Sequence, residues 1–134
     1  SIKNGIVIDH ITAGRSMQIY RLLGLDALEC SVALIKNVGS RKMGKKDIIK
    51  IYASIGLNFE VLGYIAPEVT VNLIKNGETV QKVRPEPPKF LKNVIKCKNP
   101  RCITSTEQEI NHVFKLTDKD NGVYRCIYCE TQAK

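Results

Sequence analysis

The sequence predicts an α+β fold, and three observations support it. Short runs rich in β-branched residues alternate with two segments of helical spacing. Asn76-Gly77 and Asn121-Gly122 each lie between two such runs and favour two-residue hairpin turns. A proline-rich stretch over 84–89 separates this pattern into two parts. We therefore expect a ferredoxin-like domain of order βαββαββ, followed by a small β-rich domain.

The first domain is expected to contain five strands and two helices. Ile19, Tyr20 and Leu23 stand at helical spacing, and Asn58 is a suitable N-cap for a second helix. In chain order we predict a strand over 5–11, a helix over 15–23, strands over 28–36 and 48–52, a helix from 58 that stops before Pro67, and strands over 69–73 and 79–83. The polar, basic segment 37–47 is expected to be a loop.

Prolines mark the boundary between the two domains. Pro85, Pro87 and Pro88 have a fixed φ and no N–H group, so neither a helix nor a central strand can continue through them. We expect residues 1–84 to form one domain, 85–89 a semi-rigid linker and 90–134 a second domain. The second domain is expected to have strands over 111–117 and 123–127. Its apolar residues are too few to support a core without a further crosslink.

Composition narrows the classes of function. With 43% hydrophobic and 25% charged residues, the chain has the balance of a globular protein. Its longest apolar run, residues 32–35, is too short for a membrane-spanning helix or a signal peptide, so we expect a cytoplasmic protein. A formal charge of +8 leaves nucleic acid, phosphate ligands or an acidic protein as partners. Neither His10 nor His112 forms a convincing nucleophile–base pair, and no catalytic residue is assigned.

Four of the five cysteines are clustered near the C-terminus, in the pattern Cys97-x4-Cys102-x23-Cys126-x2-Cys129. Two close pairs of thiolates that converge suit one structural Zn²⁺, because four thiolates leave no position for a catalytic water. An odd cysteine count without an Asn-x-Ser/Thr sequon argues against a secreted disulfide framework. The alternatives are two disulfides, four unrelated buried thiols or an iron site. The fifth cysteine, Cys30, is expected to be a buried core thiol.

A second candidate site combines basic and acidic side chains of the first domain. Lys50 and Lys82 lie in predicted strands, and Asp9 and His10 lie near the end of the first one. Two ammonium groups, an imidazole and a carboxylate are groups that can bind the phosphates, base and ribose of a nucleotide. Alternatively, the strand lysines protect a sheet edge and Asp9 caps a turn.

Several longer motifs follow one another in a characteristic order. They are Gly-x-Val-Ile-Asp-His-Ile at 5–11, Met-Gly-Lys-Lys-Asp-Ile-Ile-Lys-Ile at 43–51, Ala-Pro-Glu-Val-Thr-Val-Asn at 66–72, Arg-Pro at 84–85 and Cys-x-Tyr-Cys-Glu at 126–130. Together with the cysteine spacing, they resemble the regulatory chain of aspartate carbamoyltransferase over essentially the whole sequence. Four residues precede Gly5, fewer than in better-known members, whose N-terminal segment also helps to form the effector site.

The resemblance implies a non-catalytic subunit in pyrimidine biosynthesis. Its N-terminal domain would bind CTP, UTP and ATP as effectors, and its C-terminal zinc domain would dock on catalytic chains in an assembly that contains regulatory-chain homodimers. By the same resemblance, Asp9, His10, Lys50 and Lys82 are the effector-binding residues, and the zinc ligands are Cys97, Cys102, Cys126 and Cys129. The catalytic chain's Ser-Thr-Arg-Thr and His-Pro-x-Gln motifs are missing from the sequence. The alternative function is a zinc-ribbon protein that binds nucleic acid; on the main interpretation neither nucleic acid nor a membrane is a partner.

Overall fold

The computed structural model describes residues 2–133 and divides the chain into two units, residues 1–86 and residues 87–134. Within residues 2–86 five strands and two helices follow the predicted order βαββαββ. They are β1 (Gly5–Thr12), α1 (Ser16–Leu22), β2 (Val32–Ser40), β3 (Gly44–Ile51), α2 (Phe59–Ile65), β4 (Thr70–Lys75) and β5 (Glu78–Val83). A short 3₁₀ turn, Leu25–Ala27, precedes β2.

All neighbouring strands of this sheet are antiparallel, in the order β2-β3-β1-β4-β5. The first four strands have the ferredoxin-like order, and β5 extends the sheet beside β4 as the second half of a hairpin. As expected, Asn58 caps α2, since its side chain accepts a 3.1 Å hydrogen bond from the Val61 N–H. The α+β prediction is confirmed.

The core of the first unit lies between one face of the sheet and the two helices. Ile19 of α1 and Leu62 of α2 pack against buried strand residues. The strand contribution comes from Ile6, Ile8, Ile11, Ile49, Ile51 and Val71. Side chains along a strand point alternately to the two faces, so the residues between these apolar positions lie on the opposite face of the sheet. Cys30 is half-buried and packs against the same core.

The prediction of a loop over 37–47 is wrong. β2 continues to Ser40, β3 already begins at Gly44, and the turn between them takes only residues 41–43. The polar composition of this hairpin concealed a strand pattern in which the exposed Lys45 and the half-buried Lys46 precede a buried Asp47. At its other end β2 starts at Val32, later than predicted, because the preceding residues form the 3₁₀ turn and a bend.

Asp47 is a fully buried carboxylate on the core face of β3. It accepts hydrogen bonds from three backbone N–H groups, of Gly14 at 3.1 Å, Ser16 at 3.3 Å and Asn37 at 3.0 Å. Gly14 and Ser16 belong to the start of α1, whereas Asn37 lies in a bulge of β2. One side chain therefore joins three separate segments of the first unit. Burial alone would raise the pKa of Asp47, but the hydrogen bonds from Ser16, Asn37 and Gly14 outweigh it and lower the pKa.

The second unit contains a three-stranded antiparallel sheet within residues 87–133, in the order β6-β7-β8. Its elements are β6 (Phe90–Lys92), α3 (Ile103–Thr106), β7 (Val113–Asp118) and β8 (Val123–Cys126). The strands predicted over 111–117 and 123–127 correspond to β7 and β8, whereas β6 and α3 were not predicted. Three elements are too short, at three or four residues, to give a periodic signal.

The small core of the second unit contains Leu91, Phe114 and Tyr124. The Tyr124 hydroxyl donates to the Pro88 carbonyl at 2.6 Å, and the Leu116 N–H donates to the Lys89 carbonyl at 2.8 Å. Pro88 and Lys89 are therefore held against the sheet by their carbonyl oxygens. Among residues 2–133 no helix is long and apolar enough to cross a membrane.

The substitution Asp47→Asn should lower the free energy of unfolding of the first unit by about 1–3 kcal/mol, because three buried N–H groups lose a charged acceptor. Wild-type stability should also fall on acidification. Because the folded-state pKa of Asp47 is lowered, its contribution to stability is fully present above the ordinary aspartate pKa and is lost as the pH falls through the lower folded-state pKa. Urea unfolding of both proteins at neutral pH and along an acid series measures both effects. Asp26→Asn, at an exposed carboxylate of the same unit, is the control, and an equal loss in both variants would contradict the assignment.

Candidate metal centre and effector surface

The four clustered cysteines converge in the second unit. Their sulfur atoms all lie within 4.8 Å of one another. The distance is 3.5 Å between the sulfurs of Cys97 and Cys129, and 3.7 Å between those of Cys102 and Cys126. A tetrahedral ion with metal–sulfur bonds of about 2.3 Å places its ligand sulfurs about 3.8 Å apart. The spacing therefore fits a four-thiolate metal site.

The same distances exclude the disulfide alternative in this structure. A disulfide requires a separation of about 2.05 Å, and all five cysteines, each within residues 2–133, are free. Burial raises the pKa of Cys97 to about 12 and also raises that of Cys126. Hydrogen bonding by Thr131 instead lowers the pKa of Cys129 to about 6. Cys97 and Cys126 therefore resist ionisation, and a bound cation would favour their thiolate forms.

Two tight loops present the sulfurs. In the first loop the Cys102 N–H donates to the Asn99 carbonyl at 3.1 Å, and the Ser105 hydroxyl donates to the same oxygen at 2.7 Å. In the second loop the Glu130 N–H donates to the Cys126 carbonyl at 2.9 Å. These local bonds help to fix the shape of both loops.

Side chains around the cysteines add contacts that the spacing alone does not indicate. His112 lies immediately before β7, and its Nδ1 accepts a 3.0 Å hydrogen bond from the Cys97 N–H. Thr104 of α3 donates its hydroxyl to the sulfur of Cys102 at 3.1 Å. A Thr or His near a cysteine pair is too common in sequences to predict such a contact.

The structure places Asp9 and His10 at an irregular point of β1. The pairing of β1 with β3 is regular up to Ile8 and resumes at Ile11, so Asp9 and His10 form a bulge between them. His10 has a φ of 60°, its N–H donates to the Asp9 carboxylate at 2.6 Å, and its Nδ1 lies 3.2 Å from the Thr70 hydroxyl oxygen. Bulges and positive φ values at non-glycine residues are enriched at functional sites.

Lys50 and Lys82 lie in one row across the sheet. Val7 of β1 is opposite Lys50 of β3 on one side and Asn72 of β4 on the other, and Asn72 is opposite Lys82 of β5. Residues in such a row project from the same face. This is the face away from the core, because Ile6, Ile8, Ile49 and Ile51 alternate with the row and are buried. The lysine backbones are three strand spacings apart, about 14 Å.

Lys46 also lies on this face, two residues from Ile48 and four from Lys50. Its ammonium group is 2.9 Å from the Asp9 carboxylate. Burial of Asp9 raises its pKa, but the hydrogen bond from Lys46, followed by that from the His10 N–H, outweighs burial and lowers the pKa. Asp9 therefore stays ionised near neutral pH. Lys46 was not among the sequence candidates, because residues 37–47 were expected to form a loop.

Asn72, in the middle of the row, has a side-chain oxygen that is buried and has no hydrogen-bond partner. Leaving a polar atom in this state costs about 1–3 kcal/mol. Thr70, two residues earlier on the same face, is 8% exposed and contacts His10. Neither residue was a sequence candidate. Their alternation with the apolar residues of β4 indicates a shared face, but not which residues lie opposite them.

Comparison with known families covers nearly the whole chain. Residues 1–86 match the model of the aspartate carbamoyltransferase regulatory chain, allosteric domain. Residues 89–134 match the model of the metal binding domain of the same regulatory chain. The chain belongs to the aspartate carbamoyltransferase regulatory chain family.

Several curated relatives have the same description. The aspartate carbamoyltransferase regulatory chain of Clostridium botulinum (strain Hall) is 53% identical over 130 residues, covering 97% of this chain and 89% of that relative. That of Clostridium tetani is 53% identical over 131 residues, covering 97% and 91%. That of Bifidobacterium longum is 41% identical over 134 residues, covering 100% and 96%.

Membership confirms the resemblance on which the sequence analysis relied. The protein is a regulatory chain and not itself the enzyme, as predicted from the missing catalytic motifs. Its place in pyrimidine biosynthesis follows from the family. The match of the second unit to a metal binding domain, together with the four-cysteine cluster, supports a bound metal there.

Proposed function

We propose that this regulatory chain binds nucleotide effectors on the exposed face of its five-stranded sheet and controls catalytic chains to which its second unit is docked. The main observation behind this proposal is the cross-strand row that places Lys50 and Lys82 on the same face of the sheet. The effectors are CTP, UTP and ATP, and their binding residues are Asp9, His10, Lys50 and Lys82. This role rests on the family together with the arrangement of this face.

The chemistry of the face supports a nucleotide ligand. Lys50 and Lys82 are cations suited to phosphates, so a ligand that contacts both crosses the intervening strands. Asn72 lies between them in the row, and its side-chain amide is a group that can hydrogen-bond to a base. Asp9 is ionised and can accept from ribose hydroxyls once Lys46 moves to a phosphate. At the bulge, the imidazole Nδ1 of His10 lies 3.2 Å from the hydroxyl oxygen of Thr70, on the same face as Asn72.

Regulation requires more than binding. A nucleotide changes the activity of the assembly only if its affinity differs between two states of that assembly, typically by a coupling free energy of about 1–3 kcal/mol. Equal affinity for both states would regulate nothing, however tight the binding. We propose that residues 1–84 bind the nucleotide, 85–89 link the domains and 90–134 form the docking domain.

We propose one structural Zn²⁺ per chain, held by Cys97, Cys102, Cys126 and Cys129. Sulfur spacings of 3.5 Å and 3.7 Å and an all-thiolate donor set support zinc. Because all four positions are filled by protein, the ion has no open site for catalysis. Zinc binding in comparable small domains contributes roughly 10–16 kcal/mol, so the second unit should depend on it for folding.

Exposed apolar residues support the proposed partners. The second unit exposes Ile103 by 46%, Ile127 by 45% and Tyr128 by 49%, all near the cysteine loops, and such residues suit a docked catalytic chain. In the first unit β2 is an edge strand with unpaired backbone groups and a partly exposed Ile35. Edge strands readily pair with another chain, which supports a regulatory-chain homodimer. A reducing cytosol would keep the four thiols available for the metal.

Mixing the purified chain with its catalytic chains and measuring aspartate saturation with and without CTP or ATP tests the whole proposal. The chains should co-assemble, and the nucleotides should shift the saturation curve. Failure to co-assemble would refute the docking role. Assembly without a nucleotide response would limit the chain to a structural subunit.

The substitution Lys82→Ala should weaken CTP binding by about 10- to 100-fold while assembly is unchanged, because one charged phosphate contact is lost. Isothermal titration of the assembled complex measures the affinity. Lys92→Ala removes the same charge from an exposed position in the second unit and should have no effect. An unchanged affinity in Lys82→Ala would place the phosphates elsewhere.

Displacing the metal with a mercurial should release one zinc per chain and abolish association with catalytic chains, because the second unit loses the crosslink that orders its loops. A zinc-binding dye measures the released ion, and sedimentation velocity measures association. Zinc added back after removal of the mercurial should restore both. A metal-free chain that still assembles would contradict a docking role for the metal.

A further inference from the structure

Two threonine hydroxyl groups contact sulfur atoms of the cysteine cluster, one in each cysteine pair. The Thr104 hydroxyl donates to the sulfur of Cys102 at 3.1 Å, and the hydroxyl oxygen of Thr131 lies 3.3 Å from the sulfur of Cys129. Thr104 is 4% exposed and Cys102 is 2% exposed, whereas Thr131 and Cys129 are both half-buried. The two contacts thus pair the same chemical groups at different depths.

The charge of the metal centre explains why these contacts matter. Four thiolates and one divalent cation carry a net charge of −2, which must be stabilised inside a small domain. The Thr104 hydroxyl donates to the sulfur of Cys102, and the Thr131 hydroxyl oxygen lies 3.3 Å from the sulfur of Cys129, within reach to donate once that sulfur is a thiolate. Charge-assisted hydrogen bonds of this kind are stronger than neutral ones.

We propose that Thr104 and Thr131 are positioning residues of the metal centre. Their hydroxyls donate to the thiolates of Cys102 and Cys129, hold both sulfurs in the metal-binding geometry and slow the loss of the ion. Thr104 contributes more, because water cannot reach its buried sulfur to replace the missing donor, whereas water can partly replace Thr131. The inference rests on the metal site proposed above and adds residues outside the four ligands.

The neighbouring Thr106 shows that a threonine in this helix does not necessarily donate a hydrogen bond to a cysteine sulfur. Thr106 lies two residues further along α3, is exposed, and donates its hydroxyl to the carbonyl of Ile103 at 3.2 Å. Bonding to a nearby carbonyl is the common behaviour of threonine in helices. Thr104 instead directs its buried hydroxyl to a sulfur. Thr106 therefore provides a matched control with the same residue type and the same helix.

The test uses the full chain with Thr104→Val, Thr104→Ser, Thr106→Val and Thr131→Val. Valine removes the hydroxyl and keeps the shape of the side chain, and serine keeps the hydroxyl. Zn²⁺ affinity is measured by chelator competition. The ¹¹³Cd chemical shift of the Cd²⁺-loaded chain reports directly on hydrogen bonding to the sulfurs, which a purely structural role would not change.

We expect Thr104→Val to lower Zn²⁺ affinity by roughly 10- to 100-fold, the usual effect of removing an outer hydrogen-bond partner of a metal ligand. Thr131→Val should lower it by less, Thr104→Ser should stay close to wild type, and Thr106→Val should be unchanged. The ¹¹³Cd shift should move in both Thr104→Val and Thr131→Val, but not in Thr106→Val.

Wild-type affinity and an unchanged ¹¹³Cd shift in Thr104→Val would overturn the inference. If Thr104→Val does not fold, Thr131→Val decides, because its half-exposed position tolerates the change, and an unmoved shift there would overturn the inference equally. A wild-type chain that binds neither Zn²⁺ nor Cd²⁺ would instead refute the metal site of the proposed function.

Discussion

The alternation of side chains along β-strands is the constraint on which the first unit depends. One face of its sheet carries the apolar residues that pack against α1 and α2, and the opposite face carries Lys50, Asn72 and Lys82 in one row. A register slip of one residue would bury the lysines and expose the isoleucines. The same hydrophobic free energy that stabilises the core therefore also fixes the positions of Lys50, Asn72 and Lys82 on the opposite face.

The second unit is organised differently, because its apolar core is small. Leu91, Phe114 and Tyr124 pack together on three short strands, while the two cysteine loops obtain their shape from local hydrogen bonds. Convergence of the four sulfurs joins these loops to the sheet at Cys126. In such a domain the metal replaces hydrophobic area as the main source of stability. The hydroxyls of Thr104 and Thr131 extend this polar organisation outward from the sulfurs.

The element order of the first unit and the set of four cysteines could be predicted from the sequence, because both have strong local signals. These signals are the β-branched runs, the Asn58 cap, the Asn-Gly turns and the cysteine spacing. The strands over 37–47 could not be predicted, because their lysines resemble the composition of a loop. The buried Asp47 in this segment is stable only through N–H groups that are distant in sequence. Asn72 and Lys46 were missed for a related reason. Their significance depends on cross-strand register, which no local pattern encodes.

The backbone of His10 links the stability of the fold to its evolution. At a φ of 60° histidine is strained relative to glycine or asparagine, and mutation to either would relieve that strain. Selection for thermal stability alone would therefore drive this position away from histidine. A lineage that lost its dependence on the imidazole would be expected to drift to the relaxed residues first at this bulge. If the imidazole serves the proposed nucleotide site, glycine or asparagine at this position in a related chain would mark the loss of that role.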